Sequence, residues 1–373
     1  MENESKRRIC CFCETWESGG IESFLYNVLS RMDFSKIEVD IVASELRKSI
    51  FTPELQKKGI QFYELSGSQR NVLKNWRNFQ NLLVKRKYDV VHLNIFQGLS
   101  LYYACLAKRA GVPVRIAHSH NTALRKSKTK PLKLALHQIS KNMFAGFATD
   151  FWACSKLAAE FMFPKQLLSK KGFQFIPNGI DTERFRFNPE IREKIRAELG
   201  ITNAFVIGNV GRLCYQKNQT FLLQVFAEVL QKRPESRLLL VGTGELESSL
   251  KRQAKELGIM DKVIFYGASN HVEQLLWAMD LFVFPSLFEG LGIVVIEAQS
   301  AGLPVICSKF VPQEVNVTPL VQSLPLEIKV WRDKLLRIQE VMKRKMFSEK
   351  MEKAGFDIWS VMGLISKIYN DMM

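Results

Sequence analysis

Short apolar runs rich in β-branched and aromatic residues recur along the chain, at 9–13, 38–43, 60–64, 90–94 and 114–117, and again at 205–210, 237–241, 263–266, 281–284 and 305–307. Most are followed by a stretch of helical length. The runs alternate little between apolar and polar, which marks strands covered on both faces, so the pattern predicts parallel sheets joined by right-handed crossovers. The covering layer is visible at 219–231, where Phe221, Leu222, Val225, Phe226, Val229 and Leu230 share one helical stripe and Pro234 follows the end. Two α/β units result. A further strand is expected at 173–176, and the segment IPNGIDTERF after it supplies a proline, an Asn-Gly turn and an aspartate, the composition of a boundary. A hinge there predicts a central cleft between two facing sheets. Ligands of open parallel sheets bind beyond the carboxyl ends of the strands, so candidate chemistry is sought there.

Length agrees with two units, because 373 residues exceed what one core organises well. The longest stretch without formal charge, 90–107, is too short for a membrane span and is broken by His92, Asn94, Gln97 and Gly98. The first residues lack the apolar core of a secretory signal. A cytoplasmic protein is expected. Seven scattered cysteines suit a reducing compartment. Cys10, Cys11 and Cys13 invite a metal reading, but they lie in a predicted buried strand with no second pair to complete a tetrahedron.

Charge changes the picture more. Of the net +16, residues 1–173 carry +14 and residues 174–373 only +2. Between 65 and 149 there are 15 basic residues and one acid, Asp89, with a dense block at Arg125, Lys126, Lys128, Lys130 and Lys133. Such a face attracts a polyanion, either nucleic acid or an anionic membrane, unless it is simply a solvated surface. Nucleic-acid binding is disfavoured because neither aromatic interleaving nor a groove-reading element accompanies the charge.

Candidate chemistry gathers at strand ends. After the first strand, Gly19 and Gly20 open a helix where backbone amides could meet a phosphate, although a tight turn explains the pair equally well. His118 and His120 stand where a strand becomes a loop, as a structural pair, a metal pair or hydrogen-bonding groups for a substrate. Arg212 and Lys217 precede the helix at 219, an arrangement suited to a diphosphate or to an ordinary basic loop. Gly242, in VGTGE, lies in another glycine-rich turn. In FPSLFEGLGIVVIEAQSAGLP, residues 293–296 read locally as strand, yet the glycine-rich turn before them and the stop at Gly302 favour a helix. Glu289 then lies in the loop and Glu297 in the helix. Glu297 suits a ribose diol and Glu289 a sugar hydroxyl, with the amides of Gly290, Leu291 and Gly292 facing the sugar; a capping glutamate and a buried salt bridge are the alternative.

In their order, SGGIES, HSHN, ACSK, IPNGID, GRLCYQKN, VGTGE and the Glu289-x7-Glu297 pair resemble retaining glycosyltransferases of family four, in the branch that assembles capsular polysaccharide and exopolysaccharide. The resemblance covers nearly the whole chain. It implies the GT-B fold: a Rossmann-like acceptor-side domain at 1–175, a Rossmann-like donor domain at 176–355, and a last helix at 356–373 crossing back to the first domain. It implies a hexosyltransferase with a nucleotide-sugar donor, UDP-linked by expectation, and a lipid-linked or oligosaccharide acceptor at the inner face of the plasma membrane. Arg212 and Lys217 would hold the diphosphate, Glu297 the ribose and Glu289 the donor sugar, with Gly20 against the diphosphate. A histidine of HSHN would face the reacting sugar, His118 being narrowly preferred. No metal or cofactor is expected, in keeping with the absence of an Asp-x-Asp pair. A sugar-nucleotide epimerase of the same fold is the nearer rival, and a basic nucleic-acid-binding protein the more remote one.

Overall fold

The computed structural model describes residues 6–124, 130–170, 172–338, 344 and 347–370. The chain separates into two compact units, 1–179 with 358–373, and 180–357. The expected junctions at 175/176 and 355/356 lie just ahead of these. Of the basic block, Arg125, Lys126 and Lys128 fall outside the described residues.

The first unit is built on seven parallel strands: β1 (Arg7–Trp16), β2 (Ile37–Leu46), β3 (Gln61–Glu64), β4 (Val90–Ile95), β5 (Val114–Ser119), β6 (Asp150–Ala153) and β7 (Phe173–Phe175). Their order in the sheet is β3-β2-β1-β4-β5-β6-β7. Succession therefore reverses between β1 and β4, and the crevice outside their carboxyl ends is the place this topology offers a ligand. Cys13 pairs with Asn94 across that junction, and Asn94 with His118 on the other side.

The core explains the cysteines. Cys10, Cys11 and Cys13 are free and wholly buried in β1, Cys11 and Cys13 among Ile9, Trp16, Phe24, Leu25 and Ile41. Burial pushes the Cys11 thiol up to about 12, so it is an inert hydrophobe rather than a nucleophile. Among the described residues no three His, Cys, Asp or Glu side chains gather as a metal site. The helix Ile358–Asn370 supplies Ile358, Val361, Ile365 and Tyr369 to this same core, which returns the end of the chain to the first unit.

The second unit repeats the scheme with six parallel strands: β8 (Val206–Val210), β9 (Arg237–Val241), β10 (Val263–Gly267), β11 (Leu281–Phe284), β12 (Val305–Ser308) and β13 (Val321–Leu324), ordered β10-β9-β8-β11-β12-β13. Here the reversal lies between β8 and β11. A buried ionic knot anchors the neighbouring helix, Pro189–Glu198. Asp280, just before β11, accepts from Arg192 at 2.5 Å, from Arg196 at 3.1 Å and from the amide of Val206 at 2.7 Å. Further guanidinium protons go to the carbonyls of Trp277, Met279, Ala278, Thr202 and Ala204. Both guanidinium groups thus share the Asp280 carboxylate and spend further N–H groups on carbonyls, the condition under which buried ions are tolerated.

Candidate functional site

In the second unit the loops leaving β8 and β11 meet beyond the sheet. Gly211 and Gly242 carry φ of +150° and +129°, and the loops after β8 and β9 bond to each other, Gly211 N to Val241 O and Leu213 N to Thr243 O, each at 2.9 Å. A Cβ on Gly242 would sit 2.2 Å from the carbonyl oxygen of Gly211. Its glycine is therefore required by the nesting of two loops, a reason independent of the ligand contact expected from the sequence. Arg212 leaves this nest partly exposed, its Nε 3.2 Å from Glu245.

Lys217 closes a short 3-10 turn, Tyr215–Lys217, ahead of the helix Gln219–Leu230. Its Nζ donates to Glu289 Oε1 at 2.6 Å and lies over the ring of Phe284. The other carboxylate oxygen of Glu289 accepts from Gln216 Nε2 at 3.3 Å, and that same amide reaches the carbonyl of Phe288. Glu289 is buried, so this pairing keeps an uncompensated charge out of the interior. Gly292, at φ +89°, turns the chain into the helix Ile293–Ser300; the local strand pattern yields to this start. Gly290 and Leu291 are buried in the turn.

Glu297 occupies the second turn of that helix, only partly accessible. Burial raises its carboxyl to about 7, countered by Arg184 and reinforced by Glu273. Arg184 itself grips Glu273 at 2.8 Å, and His271 Nδ1 lies 3.2 Å from the other oxygen of Glu273. This Arg184–Glu273–His271 group is absent from the sequence reading. Arg184 and Glu273 stand 89 positions apart, with no local pattern that would have joined them.

In the first unit, the amino end of the helix Gly20–Leu29 already holds a carboxylate of the chain itself. Glu22 Oε1 accepts from the amide of Glu17 at 3.3 Å, and burial lifts its carboxyl to about 7 against the pull of the Glu17 and Gly19 backbones. A Cβ at Gly19 would meet Glu22 Oε2 at 2.7 Å, a contact that a shift of that side chain relieves, whereas Gly20 faces open space. Gly20 is the more exposed of the two glycines.

The histidines are separated by burial. His118 and His120 lie on one face of the strand end, rings 3.9 Å apart, with Phe24 against both. His118 is wholly buried; its Nδ1 is 3.1 Å from His92 Nε2, and His92 Nδ1 meets the hydroxyl of Tyr369 at 2.7 Å. Desolvation, with His120 and His92 beside it, drives the pKa of His118 far down. His120 instead keeps partial exposure past the strand end. His118, the narrowly preferred of the two, is thus the deeper residue: its Nδ1 belongs to the Tyr369–His92–His118 row, while its Nε2, like Nδ1 of His120, is buried without a partner within the protein.

Lys217 and Glu289 thus meet at the strand junction of the second unit, between the loop that carries Arg212 and the helix that carries Glu297, and a partly exposed histidine, His120, stands near the junction of the first. Comparison with known proteins decides what family carries this pattern. Residues 18–184 match the family model described as Glycosyltransferase Family 4, and residues 191–357 that described as Glycosyl transferases group 1. The putative glycosyltransferase EpsF of Bacillus subtilis is 31% identical over 379 residues, covering 99% of this chain and 97% of its own.

The chain is a family-four glycosyltransferase.

A second family-four relative is the UDP-Gal:alpha-D-GlcNAc-diphosphoundecaprenol alpha-1,3-galactosyltransferase of Escherichia coli, 29% identical, with 81% of this chain and 80% of that enzyme covered. Among solved structures, Anabaena HepE in complex with UDP-glucose superposes with a TM-score of 0.79 at 21% identity over 98% of this chain and all of that one. WaaG, a glycosyltransferase involved in lipopolysaccharide biosynthesis, gives 0.72 at 20% identity, covering 98% of this chain and 100% of its own. The fold of this family-four enzyme is thus GT-B, and it transfers a sugar from a nucleotide-sugar donor.

The two carboxylates of this glycosyltransferase should be separable by experiment. Glu297→Gln should weaken binding of free nucleotide, while Glu289→Gln should chiefly slow turnover, since free nucleotide lacks the sugar. An ionised Glu297 can accept from both ribose hydroxyls, whereas protonation turns one oxygen into a donor, so nucleotide affinity should fall as pH drops through about 7, its raised value. Calorimetry of both variants across that interval checks this. A wild-type pH slope that persists in Glu297→Gln would assign the titration elsewhere.

Proposed function

We propose that the chain is a retaining glycosyltransferase that moves a hexose from a UDP-sugar to a lipid-linked surface-polysaccharide acceptor at the inner face of the plasma membrane. The observation that carries this reading is the Lys217–Glu289 pair at the β8/β11 junction, 2.6 Å apart, with Arg212 in the loop that leads to Lys217 and Glu297 in the helix that follows Glu289. A diphosphate offers Lys217 a stronger anion than the carboxylate it now holds. Its arrival frees Glu289 to accept from a sugar hydroxyl. As the bond from the anomeric carbon to the leaving oxygen breaks, negative charge grows on the diphosphate, and Arg212 and Lys217 supply fixed positive potential there. The acceptor hydroxyl then attacks the same face, and its proton passes to the departing phosphate. His120 is the histidine assigned to the transferred sugar.

The choice of UDP is supported by the names of the Escherichia coli relative and of the HepE complex, and the lipid diphosphate by the former. A relative described as GDP-mannose-dependent, from Corynebacterium glutamicum, is 28% identical. Thermal shift against UDP-, GDP- and ADP-sugars tests the assignment, because a ligand that binds only the folded state stabilises it by mass action. Stabilisation by UDP-sugars alone is expected; preference for GDP-mannose would overturn the base.

A membrane surface is supported by the helix Lys130–Phe144. It buries His137 and Ser140 yet exposes Leu132 at 72%, Leu136 at 43%, Ile139 at 57% and Met143 at 59%. Those four stand at helical spacing on one outward stripe, the reverse of a core-facing helix. Leu134 is exposed as well, so core packing does not account for these residues; Phe144, edge-on to Tyr102, does pack inward. No Asp or Glu occurs between 90 and 149, where there are nine Lys and Arg. An apolar stripe in a one-signed basic field fits the interface of an anionic bilayer. No helix among the described residues is long and apolar enough to cross one. Replacing Lys130 and Lys133 by Gln with Leu136 and Ile139 by Ser should release the protein from phosphatidylglycerol vesicles in sedimentation while donor affinity is kept. Wild-type binding should weaken as salt rises. Undiminished sedimentation of the variant would place the membrane surface elsewhere, for instance in the basic stretch 70–87.

A further inference from the structure

Asn94, wholly buried near the end of β4, lies opposite His118 of β5, two residues before His120. Its amide nitrogen is turned toward two main-chain carbonyls, Phe12 O at 3.3 Å and His92 O at 3.5 Å. Carbonyl oxygens only accept, so that end of the side chain is the NH2. The amide oxygen is then the atom facing His120, 2.9 Å from Nε2. An amide oxygen has no proton to give, hence Nε2 must carry one. On a neutral imidazole this leaves Nδ1 as a bare acceptor. Nδ1 is buried and has no hydrogen-bond partner within the protein.

We propose that Asn94 is a positioning residue that holds His120 as the Nε2–H tautomer, so that Nδ1 accepts a hydrogen bond from a hydroxyl of the bound sugar. This rests on the reading of His120 as the sugar-facing histidine. The ring plane is held by Phe24, 5.3 Å away, and by His118. The titratable groups turned toward His120 are His118 and, behind it, His92, all three kept neutral by burial, which brings His120 itself down to about 3. His118 differs in position: its Nδ1 is taken by His92 and its ring, whose Nε2 is also without a partner, is wholly buried, whereas His120 stays partly exposed past the strand end.

The consequence is a defined direction of hydrogen bonding. The sugar must donate, and a proton placed on Nδ1 would turn attraction into a clash of donors. Asn94→Asp provides that proton. A carboxylate against Nε2–H favours the imidazolium, in which both nitrogens carry hydrogen. The measurement is made on the whole chain with histidine labelled by nitrogen-15, together with kcat/KM against pH. Wild type should show Nδ1 unprotonated at neutral pH and a rate free of any His120 limb there. Asn94→Asp should show Nδ1 protonated and lose about tenfold in kcat/KM at neutral pH, the worth of one good hydrogen bond, recovering as pH rises and the imidazolium deprotonates. Nucleotide affinity, read in parallel, should stay at the wild-type value.

A proton on Nδ1 in the wild-type spectrum overturns the proposal outright, whatever the variants do. An Asn94→Asp enzyme with the wild-type rate and pH profile also overturns it, as does a uniform loss without the new limb. His120→Ala separates this from failure of the site reading. Full activity in His120→Ala would remove His120 from the site, whereas a damaged His120→Ala beside an untroubled Asn94→Asp would remove only the role of Asn94.

Discussion

Lys217→Ala should weaken nucleotide-sugar binding by about ten- to a hundredfold, the equivalent of one charge-assisted hydrogen bond of roughly 1.5 to 3 kcal/mol. Two effects act in the same direction. The diphosphate loses a cation, and Glu289, buried and 2.6 Å from Nζ in the wild type, loses the partner that balances its charge. The variant should therefore be less stable as well as weaker in binding, since a buried carboxylate stripped of its ion pair is costly. Arg212→Ala should weaken binding by a similar charge-assisted bond, yet leave stability nearly unchanged, because Glu245 and the guanidinium are both partly exposed and such pairs contribute little to the fold. Calorimetry with free nucleotide and with nucleotide sugar, alongside urea unfolding, reads both quantities. Affinity unchanged in both variants would remove these cations from the diphosphate site.

Asp280→Ala should be the most damaging single change to the second unit, at about 3 to 5 kcal/mol. The aspartate is the common acceptor of Arg192, Arg196 and the amide of Val206, and truncating it leaves two guanidinium groups with unbalanced charge in a largely dry setting. Asp280→Asn should cost less, because the amide oxygen still accepts. Unfolding followed through loss of nucleotide binding isolates this unit from the first. A midpoint within experimental error of wild type for Asp280→Ala would show that the knot is energetically neutral.

Sequence patterning located the strands that bury both faces, and with them the loops that carry Arg212, Lys217 and Glu289, because those loops begin where an apolar run stops. It did not find β6 or β13. The first has only four residues and follows a 3-10 turn; the second is a partly exposed edge strand, VQSL, inside the proline- and valine-rich stretch after Phe310. The helix Ile293–Ser300 shows the opposite case: its apolar run has strand composition, but Gly292 in a left-handed conformation starts a helix there, and the flanking glycines made that legible.

The ranking of the two histidines was not legible for a specific reason. Residues 118 and 120 share a strand face, so local pattern treats them alike. What distinguishes them is Tyr369, reaching His92 from a helix nearly 280 positions away in the chain. The same holds for Glu22, whose raised carboxyl depends on tertiary burial, and for the Arg184–Glu273 pair. Charge asymmetry was readable as a total, whereas the outward apolar stripe of Lys130–Phe144 was not, since leucines at helical spacing look the same whether they face a core or a bilayer.

The central claim is sugar transfer with retention from a nucleotide sugar held through Lys217 and Glu289. The most direct measurement incubates the protein with radiolabelled UDP-glucose, UDP-galactose or UDP-N-acetylglucosamine and a synthetic polyprenyl-diphosphate sugar, then determines the anomeric configuration of the labelled product. The account predicts label in the lipid fraction from a UDP-sugar, the donor's anomeric configuration kept, and loss of most of that label in Lys217→Ala and Glu289→Gln. An inverted linkage, or transfer that proceeds undiminished in both variants, would contradict it.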